Sequence, residues 1–376
     1  MSGASLERLE RLAAAVRAQE LDALLLSGAV AVRYATGFTG TSGLALISAA
    51  GEEPDAAVGD GLQDHRFITD FRYATQAAEQ VPDAFERDVV VDNLLEGVAG
   101  ALGPRGGRLG FLEKSVTVAE HMRLRELLDA AWELVPSGAI VERLRAVKDA
   151  GEIALIRAAT ELAEDALRAV LEHGLVGRTE RELALELEQR MRARGAAGPS
   201  FPTIIAAGAH AALPHAQPRD VEVPRDVLVT IDWGALYEGY CSDCTRTYAT
   251  GEGIGERARE IYELVRVAQH AGAEAVGAGE RTRALDAVAR AHIEQAGLGE
   301  FFGHGLGHGV GMEVHEGPRL SRTAPDEALV AGNVVTVEPG VYLPGELGVR
   351  IEDLLVVTEQ GHEVLTALPR ELTVVP

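Results

Sequence analysis

The 376-residue sequence predicts a mixed α/β protein, in the α+β sense, built from two domains. Three observations carry that expectation. The chain is longer than one typical hydrophobic core organises, since single domains cluster near about 100–150 residues. Its first part alternates between helical and strand-like hydrophobic periods. Its later part holds two segments, "VTIDWGALY" at 229–237 and "VTVEPGVYL" at 335–343, that align without a gap.

The elements follow in order. Leu6, Leu9, Ala13 and Val16 recur at helical spacing and mark a first helix. "DALLLSG" at 22–28 reads as a buried strand, and "GLALIS" (43–48), "HRFITD" (65–70) and "GRLGFL" (107–112) as further short strands, with a helix near 118–130. The alternation predicts a smaller α/β domain over residues 1–137. Pro and Gly in "VPSGA" at 135–139 mark a change of pattern, so a second domain is expected over 138–376. That domain opens with a long helix from Glu152 to Glu172, whose Ile153, Ile156, Ala163, Leu167 and Val170 share one side. Thr179, with Glu182 three residues on, forms a capping box for a helix that reaches Arg194. Two further helices, near 256–276 and 283–296, separate the aligned segments.

Composition narrows the function classes. Hydrophobic residues make up 47% and charged residues 25%, as in ordinary soluble globular proteins. The net charge of −23 argues against a nucleic-acid partner, whose affinity comes from clustered Lys and Arg on phosphates. The amino terminus "MSGASLERLERLAAAV" carries charges where a signal peptide needs an apolar run, and no stretch approaches the roughly 18 uninterrupted apolar residues of a membrane span. A cytoplasmic location without membrane contact is expected. Cys241 and Cys244 form a C-x-x-C, yet no second pair and no βαβ start accompany it. The residue they enclose, Asp243, is the more informative one.

Each aligned segment is followed by another strand-like run with a second acid, "CSDCTRTY" and "VRIEDLLVV". The pattern predicts a duplicated half-domain whose two hairpins face each other across a pseudo-twofold axis, with one acid from each of four strands pointing inward. Those acids are Asp232, Asp243, Glu338 and Glu352. Buried together they repel and raise one another's pKa values. Arg246 and Arg350 lie nearby in sequence and offer one kind of compensation, salt-bridged strand acids. Two divalent metals offer another, because bridging carboxylates hold paired ions. With the imidazole of His308 the set becomes five ligands, mostly hard oxygen, suited to Mn²⁺, Co²⁺, Fe²⁺ or Zn²⁺. His308 belongs to "GHGLGHGVGMEVHEGPR" at 303–319, in which His304 and His308 are four apart. A helical zinc motif is nevertheless excluded, because Gly303, Gly305, Gly307, Gly309 and Gly311 would each cost a helix about 1 kcal/mol. A strand-like stretch closely approached by other backbone fits better.

The order Asp232, Asp243, His308 in H-G-x-G-H-x-x-G, Glu338 in V-E-P-G and Glu352 in R-I-E resembles the pita-bread metallopeptidases, which include methionine aminopeptidase, aminopeptidase P and prolidase. The resemblance covers roughly residues 140–376, with every ligand position filled. "VHEGPR" resembles the branch that cleaves Xaa-Pro bonds. "GFTGTSG" (37–43) and "ITDFRY" (68–73) look like pieces of the amino-terminal domain of creatinase, prolidase and aminopeptidase P. The resemblance implies a pita-bread catalytic domain that hydrolyses amino-terminal Xaa-Pro bonds of small peptides through a hydroxide bridging two metal ions, manganese first among the candidates. It further implies a homodimer.

By the same resemblance Asp232, Asp243, His308, Glu338 and Glu352 hold the ions, and Glu338 also acts as general base and then acid. His215 in "SFPTIIAAGAHAALPHAQP" sits beside the metals, while His304 and His315 handle the scissile carbonyl and the proton for the leaving nitrogen. Two arginines are candidates for the substrate carboxylate. Arg350 either serves that role or orients ligands, with an ion pair to Asp353 or Glu338 as the purely structural alternative. Arg319 is either a carboxylate clamp or a salt-bridge partner of Glu316 or Glu313. The alternatives are a non-catalytic peptide-binding module on the same fold, which loss of a ligand would favour and none is lost, and an aminopeptidase of other specificity.

Overall fold

A computed structural model describes residues 3–49, 64–91 and 93–376. The chain divides into two compact units, Met1–Arg145 and Ala146–Pro376. Among the described residues no helix is long and apolar enough to cross a membrane.

The first unit alternates helices and strands: α1 (Gly3–Ala18), β1 (Ala23–Leu26), α2 (Ala29–Thr36), β2 (Gly43–Ser48), β3 (His65–Asp70), α3 (Ala74–Gln80), β4 (Phe85–Val90), α4 (Leu94–Leu102), β5 (Gly107–Phe111), α5 (Val118–Leu127) and β6 (Trp132–Pro136), with α6 (Ile140–Ala146) at the division. The strands form one sheet in the order β4-β3-β2-β1-β5-β6. Pairing is antiparallel from β1 to β2 and from β2 to β3, and parallel elsewhere. Strand β1, "ALLL", is buried at every position, as expected of a central strand covered on both faces. Leu25, Leu46, Ile68, Val98, Leu109 and Leu124 meet in the core over the sheet. The change of pattern at 135–139 falls where β6 ends.

The second unit begins with α7 (Ala150–Leu171) and α8 (Glu180–Ala193), each opened by a complete capping box, from Asp149 with Glu152 and from Thr179 with Glu182. Ile156, Ala163, Leu167 and Val170 of α7 are buried. Then come β7 (Gly198–Pro199), β8 (Ile204–Ala207), β9 (Leu228–Trp233), β10 (Ala235–Tyr237), β11 (Tyr240–Cys241), β12 (Cys244–Ala249), α9 (Glu256–Glu274) and α10 (Thr282–Gln295). The unit closes with β13 (Gly307–Gly309), β14 (Glu316–Leu320), β15 (Val334–Val337), β16 (Gly340–Leu343), β17 (Leu347–Arg350), β18 (Asp353–Thr358) and β19 (Gly361–Val364).

The duplication read from the sequence is visible in the register. Strands β9 and β12 pair antiparallel with Asp232 opposite Thr245, and β15 pairs with β18 with Val337 opposite Asp353. A small hairpin interrupts each pair, β10 with β11 in the first half and β16 with β17 in the second. Helices α8 and α10 are each 14 residues long and are followed by Gly195 and Gly297, both at positive φ. One expectation needs correction: only Asp232 lies within a strand. Asp243 directly precedes β12, Glu338 directly follows β15 and Glu352 directly precedes β18. These are the points where the chain leaves the main ladder to build the small hairpin or returns from it, so the acids gather at strand ends.

The glycine-rich stretch behaves as a strand, because β13 is squeezed between β14 and β15. A Cβ on Gly307 would lie 2.0 Å from the carbonyl oxygen of Thr336, and one on Gly309 2.1 Å from that of Gly317. No side chain fits at either position, which leaves His308 between them as the residue that projects.

Candidate metal centre

The strand ends bring carboxylate oxygens of Asp232, Asp243 and Glu352 within 4.8 Å of one another. The Nε2 atom of His308 lies 3.3 Å from Glu338 Oε1 and 3.6 Å from Asp243 Oδ2. On its other side the His308 Nδ1 lies 3.1 Å from the Gly309 carbonyl, which only accepts, so Nδ1 carries the proton and Nε2 is turned toward the acids. Some carboxylate oxygens have partners: Thr245 Oγ1 donates to Glu352 Oε2 at 2.7 Å, and Arg350 Nη2 to Asp232 Oδ2 at 2.6 Å. The other oxygens of those two groups, Asp232 Oδ1 and Glu352 Oε1, are buried without any hydrogen-bond partner.

Bare buried carboxylate oxygens are expensive, and a cation is what fits them. Burial pushes the Asp243 carboxyl well above the usual range, and the neighbouring Glu352, Asp232 and Glu338 push it further. Glu352 is raised in the same way, by burial and then by Glu338 and Asp232. Burial also raises Asp232, with Arg350 opposing. Glu338 goes the other way: burial would raise it, but the hydrogen bond and charge of His308 prevail and hold it at about 2. Four carboxylates against one adjoining guanidinium leave more negative charge than a single divalent ion balances. The donor set therefore fits a pair of divalent cations.

The centre forms the floor of a cavity of about 1330 Å³. Every site residue anticipated from the sequence lines it: Asp232, Asp243, His308, Glu338 and Glu352 together with His215, His304, His315, Arg319 and Arg350. His215 and His315 are exposed. The His315 ring centroid is 4.3 Å from that of His308, and partial desolvation of the ring with the nearby His308 charge lowers its pKa. His304 is deeper, and burial lowers its pKa against the opposing charge of Glu338. Its Nδ1 donates to the Gly305 carbonyl at 2.8 Å, and its Nε2 lies 2.9 Å from the Tyr342 hydroxyl. Arg350 Nη1 donates to that hydroxyl at 2.8 Å, so the Tyr342 proton points to His304. A continuous chain thus runs from His304 through Tyr342 and Arg350 to Asp232.

Tyr342 was not singled out by the sequence, although it stands in the second aligned segment. Two other contributors were also missed, Asp286 and Arg290 on α10. They pair at 2.7 Å while Arg290 donates to the carbonyls of Phe302 and His304 and Asp286 accepts from Leu306 N–H, so they hold the backbone on both sides of His304.

The arginine pairings differ from those expected. Arg350 pairs with Asp232 rather than with Asp353 or Glu338, and its three nitrogens all donate within the protein, Nε to Thr245 Oγ1. Arg246 pairs with Asp353 at 2.7 Å instead of offsetting the cluster. Arg319 makes no ion pair among the described residues. Glu316 turns instead to the buried Lys148 at 3.2 Å. Strand alternation accounts for the Arg246 pairing: Asp353, next to Glu352, does not line the cavity and meets Arg246 on the other side.

Two pseudo-equivalent hairpins that converge four carboxylates and an imidazole on the floor of an open cavity define a pita-bread metallopeptidase. Residues 154–359 match the model of Metallopeptidase family M24, and residues 8–147 that of the Creatinase/Prolidase N-terminal domain. The chain belongs to metallopeptidase family M24. It is 42% identical over 355 residues to an uncharacterized peptidase of Bacillus subtilis, YqhT, covering 94% of this chain and 96% of the relative. Among solved structures, an Xaa-Pro dipeptidase from Bacillus anthracis superposes with a TM-score of 0.90 at 38% identity, covering 98% of this chain and 99% of the other. An X-Pro aminopeptidase from Thermotoga maritima superposes with a TM-score of 0.85 at 36% identity, covering 96% and 100%.

Proposed function

We propose that this peptidase hydrolyses the bond between an amino-terminal residue and a following proline, using two divalent metal ions held by Asp232, Asp243, His308, Glu338 and Glu352. The observation that carries the reading is the pair of bare carboxylate oxygens, Asp232 Oδ1 and Glu352 Oε1, buried in a cluster of acids that also holds Asp243. Similarity over nearly the whole chain to proteins that act on Xaa-Pro bonds supports the substrate class. The largely oxygen donor set favours Mn²⁺.

When bound, the ions supply an acidified water as nucleophile and a Lewis acid for the scissile carbonyl. Glu338, ionised at neutral pH, accepts a proton at its carboxylate and returns it as the reaction proceeds. His315, on the cavity wall, relays to the leaving nitrogen the proton that Glu338 took up, whereas His304, with Nδ1 on the Gly305 carbonyl and Nε2 on the Tyr342 hydroxyl, takes part only by exchanging one of those bonds. That nitrogen is tertiary in the substrate, so it has no N–H and must be protonated to leave. Arg350 is committed to orienting Asp232 and Tyr342, so recognition of the substrate carboxylate falls to Arg319, which is exposed on the cavity wall. A guanidinium fork suits a carboxylate in bidentate fashion. A dipeptide presents that carboxylate directly after proline, and we favour dipeptides for this reason. We also propose that the protein works as a cytoplasmic homodimer, a reading supported by the creatinase-type amino-terminal domain; light scattering that finds a monomer at micromolar concentration contradicts it.

The test compares kcat/KM for an Xaa-Pro dipeptide and an Xaa-Pro-Yaa tripeptide in the Mn²⁺-loaded wild type and Arg319→Ala. The variant should lose about 1.5–3 kcal/mol of transition-state stabilisation on the dipeptide, the worth of a hydrogen bond to a charged group, and almost none on the tripeptide. Equal losses discard the clamp, and a wild type that cleaves neither peptide discards the function.

A further inference from the structure

The carboxylate of Glu180, in the first turn of α8, is fully buried and touches no residue of the metal centre. Its partners all belong to the segment 207–219. Ala207 N–H donates to it at 2.9 Å from the start of that segment and Arg219 N–H at 3.0 Å from the end. Arg219 adds Nε and Nη2, both at 3.1 Å, and His210 Nδ1 lies 2.9 Å from Oε2. One charge therefore pins the segment at both ends and once within. Between the pins, Pro214, His215 and Gln217 line the cavity. The Pro214 carbonyl accepts from Arg350 Nη1 at 3.3 Å, and the same guanidinium holds Asp232.

Helix capping does not explain this arrangement. The cap of α8 is Thr179, whose hydroxyl accepts from Glu182 N–H at 3.1 Å. The second half of the unit also shows what the corner needs structurally. Its equivalent position is Thr282, the first residue of α10, and the two corners share their backbone pairing: Thr179 bridges Glu222 as Arg281 bridges Ala328. Glu180 N–H donates to Val221 and Thr282 N–H to Glu327. Thr282 holds its own segment with a neutral hydroxyl, which accepts from Glu327 N–H at 3.1 Å. A hydroxyl suffices there. The first half instead buries a carboxylate, which is unfavourable unless donors fill its lone pairs, and here they do. Despite the desolvation that would raise it, hydrogen bonds from Arg219, Ala207 and His210 keep its pKa lowered.

We propose that Glu180 is a positioning residue that, through the segment 207–219, fixes His215 at the cavity wall and steadies Arg350 against Asp232. This role rests on the Xaa-Pro hydrolase reading of the cavity. Small displacements of a group that acts on a bound substrate are costly to the rate even when the fold is intact.

Glu180→Gln tests it, because the amide keeps the shape but turns a donor toward donors. In the Mn²⁺-loaded protein, kcat on an Xaa-Pro substrate should fall about tenfold to a hundredfold with KM little changed and metal stoichiometry as in wild type. Amide hydrogen exchange in 208–219 should accelerate while the rest of α8 stays protected. If Glu180 acts through His215, the same substitution in a His215→Ala background should change kcat by less than about threefold. Should Glu180→Gln fail to fold, Arg219→Gln removes two of the bonds from a half-exposed side chain and should reproduce part of both effects. Wild-type kcat and exchange in the variants, or equal losses with and without His215, overturn the proposal. A wild type that leaves every Xaa-Pro peptide intact counts against the functional reading alone, and unchanged exchange in 208–219 then still overturns the positioning role of Glu180.

Discussion

The two halves of the second unit share a backbone and divide the chemistry. Each sends an interrupted hairpin toward the centre and each contributes two acids, Asp232 and Asp243 from the first and Glu338 and Glu352 from the second. The histidines break the symmetry. His304, His308 and His315 all come from the second half, while the first supplies only His215, on a segment held by a buried carboxylate. The symmetric part can hold a pair of like ions. The asymmetric part suits a substrate that is not symmetric, a peptide bond with a carbonyl on one side and a proline nitrogen on the other.

The comparison breaks first at the acids. Asp243→Ala and Glu352→Ala occupy corresponding places, so both should lower kcat by about a thousandfold or more, given that metal catalysis supplies several kcal/mol. Circular dichroism should find both variants folded. A hundredfold disparity between them, measured at saturating Mn²⁺, would show that the halves are not equivalent as ligand donors.

That symmetry was the most legible feature of the sequence. Aligned segments, acids at matching places and a histidine hemmed in by glycines are local patterns, so the residues that meet at the candidate centre could be named before any tertiary contact was known. What escaped was set by contacts across many residues. Arg350 meets Asp232, 118 positions away, and His304 meets Tyr342, 38 positions away, because strands β9, β16 and β17 and the loop before β13 converge only in the folded unit. Glu180 follows the capping Thr179 and drew no attention in the sequence, because nothing in its neighbourhood announces Ala207 and Arg219 as partners. The acids were expected on strands because alternation is readable, whereas the point at which a ladder opens is not.

Proton linkage sharpens the comparison further. Without metal, burial and the other acids raise Asp243 above its unfolded value, so the folded state keeps that proton longer. Stability from this group is present at low pH and is lost as pH rises above the ordinary carboxylate range, at about 1.4 kcal/mol for each tenfold difference in proton affinity between the folded and unfolded chain. Asp243→Asn removes the group. Denaturant titrations of metal-free protein between about pH 5 and 8 should show the variant gaining on wild type as pH rises. In metal-saturated protein the order should reverse, because the ionised acid is then a ligand. A difference that stays flat across this range without metal would mean that Asp243 is not held among like charges.

The smallest effect is expected at the corner where the halves differ. Thr282→Ala should cost about 1 kcal/mol of stability, the worth of an ordinary hydrogen bond, and leave kcat within twofold. A tenfold loss of kcat would mean that this corner, like that of Glu180, positions the site.

The central claim is that five side chains of unlike origin hold two metal ions without which the peptidase does nothing. It is tested most directly by stripping the protein with chelator, adding Mn²⁺ in steps, and following bound metal and Xaa-Pro hydrolysis together. Binding should saturate near two ions per chain, with activity absent at the start and complete at saturation. Full hydrolysis by the stripped protein, with no divalent ion bound, would contradict the account.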